Sequence, residues 1–293
     1  MSDRAAALRS GKSHRDENFP VASHLIHPRH RPAILAFYEF VRIADDIADH
    51  PSLPQHEKLE HLDALEAGLL GHDDQAVEAV RLRTVLRERN LSPRHAQDLL
   101  TAFRMDVTKL RYTDWDDLMN YCSYSAMPVG RFVCDVHGQD RAVWGANDAL
   151  CAALQIINHL QDCGADYRNL DRVYVPLDAL KAGSATVEDL GRPVASPALR
   201  ACLRGLAERI GRLLDESATF SPRIADFRLG MEVAVIQALA RRLVAILRAR
   251  DPLSENVHLK APAVALTGLA GIATGAFSRI ERALAPLAKS YRA

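Results

Sequence analysis

Two sets of aspartates at helical spacing are the residues of this chain whose types could do chemistry. In the segment AFYEFVRIADDIADH, Asp45 and Asp49 are four residues apart, and Asp46 follows the first of them. In the segment ALQIINHLQDCGADYRNLDRVYVP, Asp162 and Asp166 have the same separation. Residues four apart project from one face of a helix, so each pair would present two carboxylates side by side.

Carboxylates held this close repel one another unless a cation or water takes up their charge. Oxygen ligands suit Mg²⁺, which combines one or two carboxylates with waters and substrate phosphate. If the two pairs face each other, they could hold several Mg²⁺ ions, and those ions could hold a diphosphate. The alternative for the first set is a solvated acidic patch, and the alternative for the second set is a structural polar network.

Other polar residues accompany the second pair. Gln155, Asn158 and Asp162 recur at spacings of three and four, which places them in line on one face of a largely apolar helix. Such groups are costly to bury unless they are hydrogen-bonded. Gly164 lies in the same segment and weakens it, so we expect the helix to break or bend there.

Arginines lie close to both pairs in the sequence: Arg42 is one turn before Asp45, and Arg172 follows Asp166. The chain has no Walker A loop, no GxGxxG fingerprint and no His/Cys ligand set for zinc. The residues by themselves therefore indicate metal-assisted diphosphate chemistry and leave the substrate open.

The elements that must position these residues are helices. Apolar residues recur at helical spacing in the segments 36–50, 57–70, 75–89, 94–110, 146–160, 197–217 and 229–250. Short turn signals separate them, without a Gly/Ser-rich linker or a repeat of fixed period. We predict an all-α fold of about ten helices. Residues 1–293 would form a single domain, with 1–16 as a flexible N-terminus.

Composition excludes other classes of protein. The 293 residues are 48% apolar, enough for a sizeable core. Equal numbers of basic and acidic residues, 37 of each, argue against nucleic-acid binding by bulk charge. Five cysteines without a CxxC pair are typical of reduced thiols, and the N-terminus lacks the apolar core of a secretory signal. We therefore expect a cytoplasmic protein.

The most apolar stretch is 261–278, which contains no charged residue. It also contains Pro262 and three glycines, and it is only marginally long for a membrane span. We expect a buried helix. The alternatives are a helix that lies on a membrane surface, which would make the protein membrane-associated, and a membrane-spanning helix.

In their order along the chain, these motifs resemble the squalene/phytoene synthase family. The resemblance rests on the two Asp-x3-Asp helices, on YCSYSAMPVG at Tyr121–Gly130, on the polar line Gln155–Asp166 and on RVYVP at Arg172–Pro176, and it runs from Asn18 to Lys260.

Three further motifs are similar to the hopanoid-pathway branch of that family, HpnC, the bacterial hydroxysqualene synthases. They are ENFPVAS at Glu17–Ser23, NHLQDC at Asn158–Cys163 and RDPLSENVHL at Arg250–Leu259.

The resemblance implies an isoprenoid synthase fold, a single helical domain around a deep central cavity. Asp45, Asp49, Asp162 and Asp166 would line its mouth and bind several Mg²⁺ ions, with Asp46 in support. The other implied site residues are Arg42, Gln155, Asn158 and Arg172 near the diphosphate, Tyr38 and Tyr121 as aromatic residues of the cavity, and Ser125, Ala126 and Gly130 as small residues that leave room for prenyl chains.

The branch implies that presqualene diphosphate is converted to hydroxysqualene: diphosphate departs, the cation rearranges and water captures it. NADPH is not expected, because water replaces hydride. One alternative is a synthase that joins two farnesyl diphosphates into presqualene diphosphate or squalene. Another is a non-catalytic protein that binds isoprenoid diphosphates beside sister enzymes of the hopanoid pathway. The resemblance also makes those sister enzymes candidate partners.

Two positions depart from the family pattern. The arginine that usually precedes the first aspartate of the second motif is Gln161 here, and a tyrosine of the C-terminal helix corresponds to Leu243. Glutamine offers neither a full charge nor a bidentate fork, so we expect this change to weaken the hold on anionic oxygens. An enzyme that starts from presqualene diphosphate holds one diphosphate and would tolerate the loss better than a condensing enzyme.

Overall fold

The computed structural model describes residues 26–290, with the backbone alone described at 261–262, 277–278 and 280–290. Within this part of the chain the regular structure is helical, apart from an isolated bridge between Arg111 and Val173. The helices are α1 (Arg31–Ala48), α2 (Gln55–Leu70), α3 (Val77–Glu88), α4 (Arg94–Thr108), α5 (Trp115–Ser125), α6 (Met127–Val136), α7 (Trp144–Leu170), α8 (Leu177–Ala182), α9 (Pro197–Glu216), α10 (Phe220–Arg223), α11 (Phe227–Ala249) and α12 (Ala261–Ser290). The predicted all-α fold is confirmed, while the predicted flexible terminus and the ENFPVAS motif lie outside the described residues.

Two buried apolar clusters form the interior. The first is built mainly by α1 to α4, with Phe40, Leu62 and Leu100 fully buried. The second surrounds α7 and takes in buried residues of α9 and α11. Helices α1 and α7, which carry the predicted aspartate pairs, belong to different clusters. The site therefore forms where the two halves of the core meet.

Helix α7 does not break at Gly164. It runs without interruption through this residue to Leu170, so the predicted break is wrong. A Cβ atom at Gly164 would lie 2.7 Å from Cδ2 of Leu253 and 3.3 Å from the carbonyl oxygen of Leu190. Close packing against these two segments, rather than a change in backbone direction, accounts for the glycine.

Helix α12 is not the buried helix that the sequence predicts. It packs along α11 through Gly271 and Gly275, which are buried, but Leu266 and Leu269 are 72% and 66% exposed. Small residues let one side of the helix approach α11 closely, and the larger apolar side chains are left facing outward. Among the described residues, no helix is long and apolar enough to cross a membrane.

Two glycines in helix interiors give a matched test of this packing. Gly164→Ala should lower the free energy of unfolding by about 1–3 kcal/mol, because the added methyl group overpacks the contact with Leu253. Gly205→Ala should raise it by about 0.5–1 kcal/mol, because nothing lies within 4 Å of its Cβ position and alanine favours helix. Urea denaturation of both variants measures the difference, and equal stabilisation by the two substitutions would contradict the packing described here.

Candidate active site

A polar cavity of about 410 Å³ opens between α1 and α7. All four aspartates of the two predicted pairs line it: Asp45, Asp49, Asp162 and Asp166. The structure thus brings together two pairs that are far apart in the sequence. Residues of α4, of α5, of α6 and of the segment after α7 complete the lining.

The acidic end of α1 is held by Arg42. Its Nη1 atom donates a hydrogen bond to Oδ2 of Asp45 at 2.9 Å, and its Nη2 atom donates to Oδ1 of Asp46 at 2.8 Å. Asp49 occupies the C-cap position of α1. Carboxylates at the C-terminal end of a helix oppose the helix dipole, so these charges are unfavourable for α1 itself. Their place is better explained by a ligand than by helix stability.

Arg172 contacts the same end of α1. Its guanidinium is buried, pairs with Asp49 through Nη1, and donates from Nη2 to the carbonyl oxygen of Ala48 at 3.1 Å. Its Nε atom donates to the carbonyl oxygen of Asp106 at 3.0 Å. One side chain therefore ties α1 to α4, and the bridge between residues 111 and 173 fixes the segment that carries it.

The cavity raises the pKa of an aspartate in each pair. Burial, and then the charge of Asp49, raise the pKa of Asp45 to about 7, although Arg42 opposes this shift. Burial, and then the charge of Asp162, raise the pKa of Asp166 to about 7. The carboxylates therefore oppose full ionisation together, as expected for a site that is completed by a cation.

Asp106 is a site residue that the sequence reasoning missed. Its Oδ2 atom accepts a hydrogen bond from the hydroxyl of Tyr121 at 2.9 Å, and its Oδ1 atom accepts one from Tyr174 at 2.7 Å. Burial raises the pKa of Asp106 to about 6. The available signal was its register: it follows Leu99 and Phe103 at helical spacing, so an acid lies on the apolar face of α4.

His159 was also missed. Its ring stacks on Tyr174 with the centroids 3.5 Å apart, and its Nε2 atom lies 3.1 Å from Nε2 of Gln155. Burial lowers the pKa of His159 to about 3, so the ring is neutral and accepts a hydrogen bond from the Gln155 amide. This bond orients Gln155 on the cavity wall. The signal was the four-residue spacing between the two side chains.

An apolar chamber of about 290 Å³ adjoins the polar cavity. The two share Tyr38, Val41, Val129 and Asn158, so these four residues form the boundary between them. The remaining chamber wall is mostly aliphatic and aromatic and comes from α1, α6, α7 and α11. A polar head and a hydrocarbon chain of one ligand could therefore occupy adjoining spaces.

The residues predicted to surround the substrate fall into two groups. Those that line the polar cavity, the apolar chamber or both are Tyr38, Arg42, Tyr121, Ser125, Gly130, Gln155, Asn158 and Arg172. Ala126 and Asp46 are buried but line neither space. Asp46 contacts Arg42, so the structure places it behind the cavity wall rather than at its surface.

Gly130 has a packing role at the chamber. A Cβ atom there would lie 2.0 Å from Oδ1 of Asn147, so only glycine lets α6 approach α7 this closely. Ser125 lines the polar cavity, and its Oγ atom is buried without a hydrogen-bond partner among the described residues. Its hydroxyl is therefore available to a ligand.

The two departures from the family pattern do not reach the site. The Gln161 amide donates to the carbonyl oxygen of Val257 at 2.9 Å, and Leu243 is buried in the core. Neither residue lines the polar cavity or the apolar chamber. The Gln161 side chain faces the segment after α11, and the expectation that losing an arginine at position 161 weakens the hold on a diphosphate stays a prediction.

Known proteins share both the sequence and the fold. The family model described as squalene/phytoene synthase matches residues 12–263. The hydroxysqualene synthase of Rhodopseudomonas palustris is 64% identical over 256 residues, which cover 87% of this chain and 88% of that protein. The hydroxysqualene synthase of Sinorhizobium fredii is 55% identical over 271 residues, which cover 92% of this chain and 93% of that protein.

Among solved structures, the squalene synthase HpnC from Alicyclobacillus acidocaldarius superposes with a TM-score of 0.71 at 28% identity, covering 84% of this chain and 92% of that one. With the family match and the relatives above, this likeness leads to one conclusion: this chain is an enzyme of the squalene/phytoene synthase family, with an isoprenoid synthase fold.

Proposed function

We propose that this enzyme converts presqualene diphosphate to hydroxysqualene in hopanoid and squalene biosynthesis. The observation that carries the proposal is the direct junction of the acidic polar cavity with the apolar chamber. A substrate with an anionic head and long hydrocarbon chains matches both spaces at once. The names of the two bacterial relatives support hydroxysqualene as the product.

The polar cavity fits Mg²⁺. Its four clustered carboxylates are hard oxygen donors, and the one histidine in the lining is already bonded to Gln155. Burial, and then repulsion from the paired aspartate, raise the pKa values of Asp45 and Asp166, and a divalent cation would relieve that repulsion. Asp45, Asp49, Asp162 and Asp166 would hold the ions, which when bound would neutralise the diphosphate and make it a better leaving group.

The chain's own residues position the diphosphate. Arg42 and Arg172 bring positive charge to the α1 side of the cavity, where they already orient the carboxylates. On the α7 side, Gln155 and Asn158 offer amide donors, and His159 holds the first of these in place. Donors fixed before the reaction stabilise developing charge without reorganising during it.

The apolar chamber protects the cation that forms when diphosphate leaves. Its wall is mostly apolar, so bound hydrocarbon chains would displace water and suppress stray capture. Tyr38 stands at the boundary of the two spaces, and Tyr121 is held by Asp106 on the side of the polar cavity. An aromatic ring face attracts a cation, so both rings can stabilise positive charge near the point of ionisation.

The main alternative is the head-to-head joining of two farnesyl diphosphates, since the related Alicyclobacillus structure is described as a squalene synthase. The non-catalytic alternative is set aside, because the chain is an enzyme of this family. We also propose that the reaction needs no NADPH. Delivery of the substrate by sister enzymes and contact with a membrane surface stay predictions; the exposed Leu266 and Leu269 of α12 support the second.

Product identification tests the reaction directly. Purified protein with Mg²⁺ and presqualene diphosphate should give hydroxysqualene without added NADPH, because water alone completes the reaction. Farnesyl diphosphate should be a poor substrate. Extracted products are identified by mass spectrometry against authentic standards. Efficient formation of presqualene diphosphate or squalene from farnesyl diphosphate would overturn the assigned step.

The aspartate pairs should matter for turnover and not for folding. Asp49→Asn or Asp162→Asn should lower turnover by at least about a hundredfold, the scale of a principal electrostatic contribution. Mg²⁺-dependent release of diphosphate measures it. Asp215→Asn is the control, because Asp215 is exposed on α9 outside the polar cavity. Near-normal turnover in both cavity variants would exclude the two-pair arrangement.

The pH dependence of stability should reveal the repulsion in the absence of metal. Because the folded-state pKa of Asp45 is raised to about 7, its contribution to stability is complete below its ordinary pKa and is lost as pH rises through 7. In EDTA, the melting temperature of Asp45→Asn minus that of wild type should therefore increase by roughly 2 °C or more as the pH rises from 5 to 8.

Burial lowers the pKa values of His30 and His159, so these two residues add stability as the pH rises, opposite to Asp45. Both are present in wild type and in the variant, so comparison at each pH removes their contributions. Asp215→Asn should show a constant difference from wild type over the same range. A difference for Asp45→Asn that stays flat would show that this carboxylate carries no repulsion in the folded protein.

A further inference from the structure

The apolar chamber contains an acidic residue that the steps above do not use. Glu232 of α11 is 3% exposed and lines the chamber. It shares this wall with Leu229, Val233 and Ile236, which lie at helical spacing on the same face of α11. A buried charged side chain often stabilises a fold less than a packed apolar residue of similar volume, so its retention here points to chemistry.

Glu232 is the one carboxylate among the described residues that line the chamber. The other polar residues of its wall are poor proton acceptors. Asn147 and Asn158 carry amides, and burial raises the pKa of the Cys151 thiol to about 12, so that it stays protonated. The aspartates of the two pairs line the polar cavity and not the chamber.

The final step of the proposed reaction needs such a group. A lone pair of water forms a C–O bond with the cationic carbon, and the resulting oxonium must lose a proton to become the alcohol. That proton needs an acceptor inside the mostly apolar chamber. In the competing path a C–H bond beside the cation breaks, its proton passes to the departed diphosphate, and a hydrocarbon forms instead of the alcohol.

We propose that Glu232 is the catalytic residue that holds the attacking water and accepts its proton. This inference rests on the proposed function. The carboxylate accepts a hydrogen bond from the water, takes the proton as the C–O bond forms, and leaves the neutral alcohol.

The placement of Glu232 separates capture from ionisation. Diphosphate leaves at the acidic polar cavity, whereas Glu232 lies in the adjoining chamber beyond the shared boundary residues. A water held at Glu232 therefore meets the cation only after it has rearranged into the chamber. This order favours capture of the rearranged cation, which gives hydroxysqualene, over capture of the first cation beside the departing diphosphate.

The test is Glu232→Gln, which keeps the size and hydrogen-bonding capacity of the side chain but cannot accept the proton in the same way. With presqualene diphosphate, Mg²⁺ and ¹⁸O-labelled water, diphosphate release should stay above about a tenth of wild type, while the labelled alcohol fraction falls at least about tenfold and hydrocarbons rise. Glu208→Gln, an exposed change on α9 outside both spaces, should leave rate and products unchanged.

A wild-type product ratio in Glu232→Gln would overturn the inference and leave the proposed function standing. If wild type itself forms no alcohol from presqualene diphosphate, both fail. Should the glutamine variant not fold, Glu232→Met takes the same test, because an apolar side chain of similar volume removes the buried charge. A purely structural role for Glu232 would lower the melting temperature of both variants without moving the product ratio.

Discussion

The main constraint on the site is that four carboxylates, which repel one another, share one cavity. Asp45 and Asp49 end α1 against the direction of its dipole, and Asp162 and Asp166 face them from α7. Burial, and then the charge of the paired aspartate, raise the pKa values of Asp45 and Asp166, so the folded chain by itself does not favour full ionisation of the set. Ligand binding can offset the cost of this arrangement. A divalent cation bound together with a diphosphate would supply the positive charge that the carboxylates need.

Arg172 makes the arrangement rigid enough to use. The buried guanidinium connects Asp49 and the end of α1 to the backbone of α4, while the side chain of Asp106 receives the hydroxyls of Tyr121 and Tyr174. These bonds join helices from the two halves of the core at the floor of the polar cavity. An arginine whose only role was to balance the charge of Asp49 could lie at the surface. Because Arg172 is buried and bonded to the backbone of both helices, it also sets the distance between α1 and α4.

The division into a polar cavity and an apolar chamber separates the demands of the reaction. Ionisation needs charge and fixed donors, whereas the cation needs dry surroundings and one controlled water. Tyr38 and Asn158 border both spaces, so a substrate of the proposed kind would meet both environments at these residues. The buried acid at Glu232 belongs to the second environment, which gives the chamber a chemical role beyond enclosing prenyl chains.

The sequence by itself determined the helices, the aspartate pairs and the polar line of α7, because helical periodicity and i, i+4 spacing are local properties. The family resemblance added the conclusion that the two pairs share one site. Tertiary structure decided which side chains reach the two spaces: Asp106 and His159 line the polar cavity and Glu232 lines the apolar chamber, whereas Asp46, Ala126 and Gln161 line neither. It also left α12 half exposed and α7 unbroken at Gly164. These outcomes follow from how helices pack against one another, since a residue's position on its own helix does not specify what lies opposite.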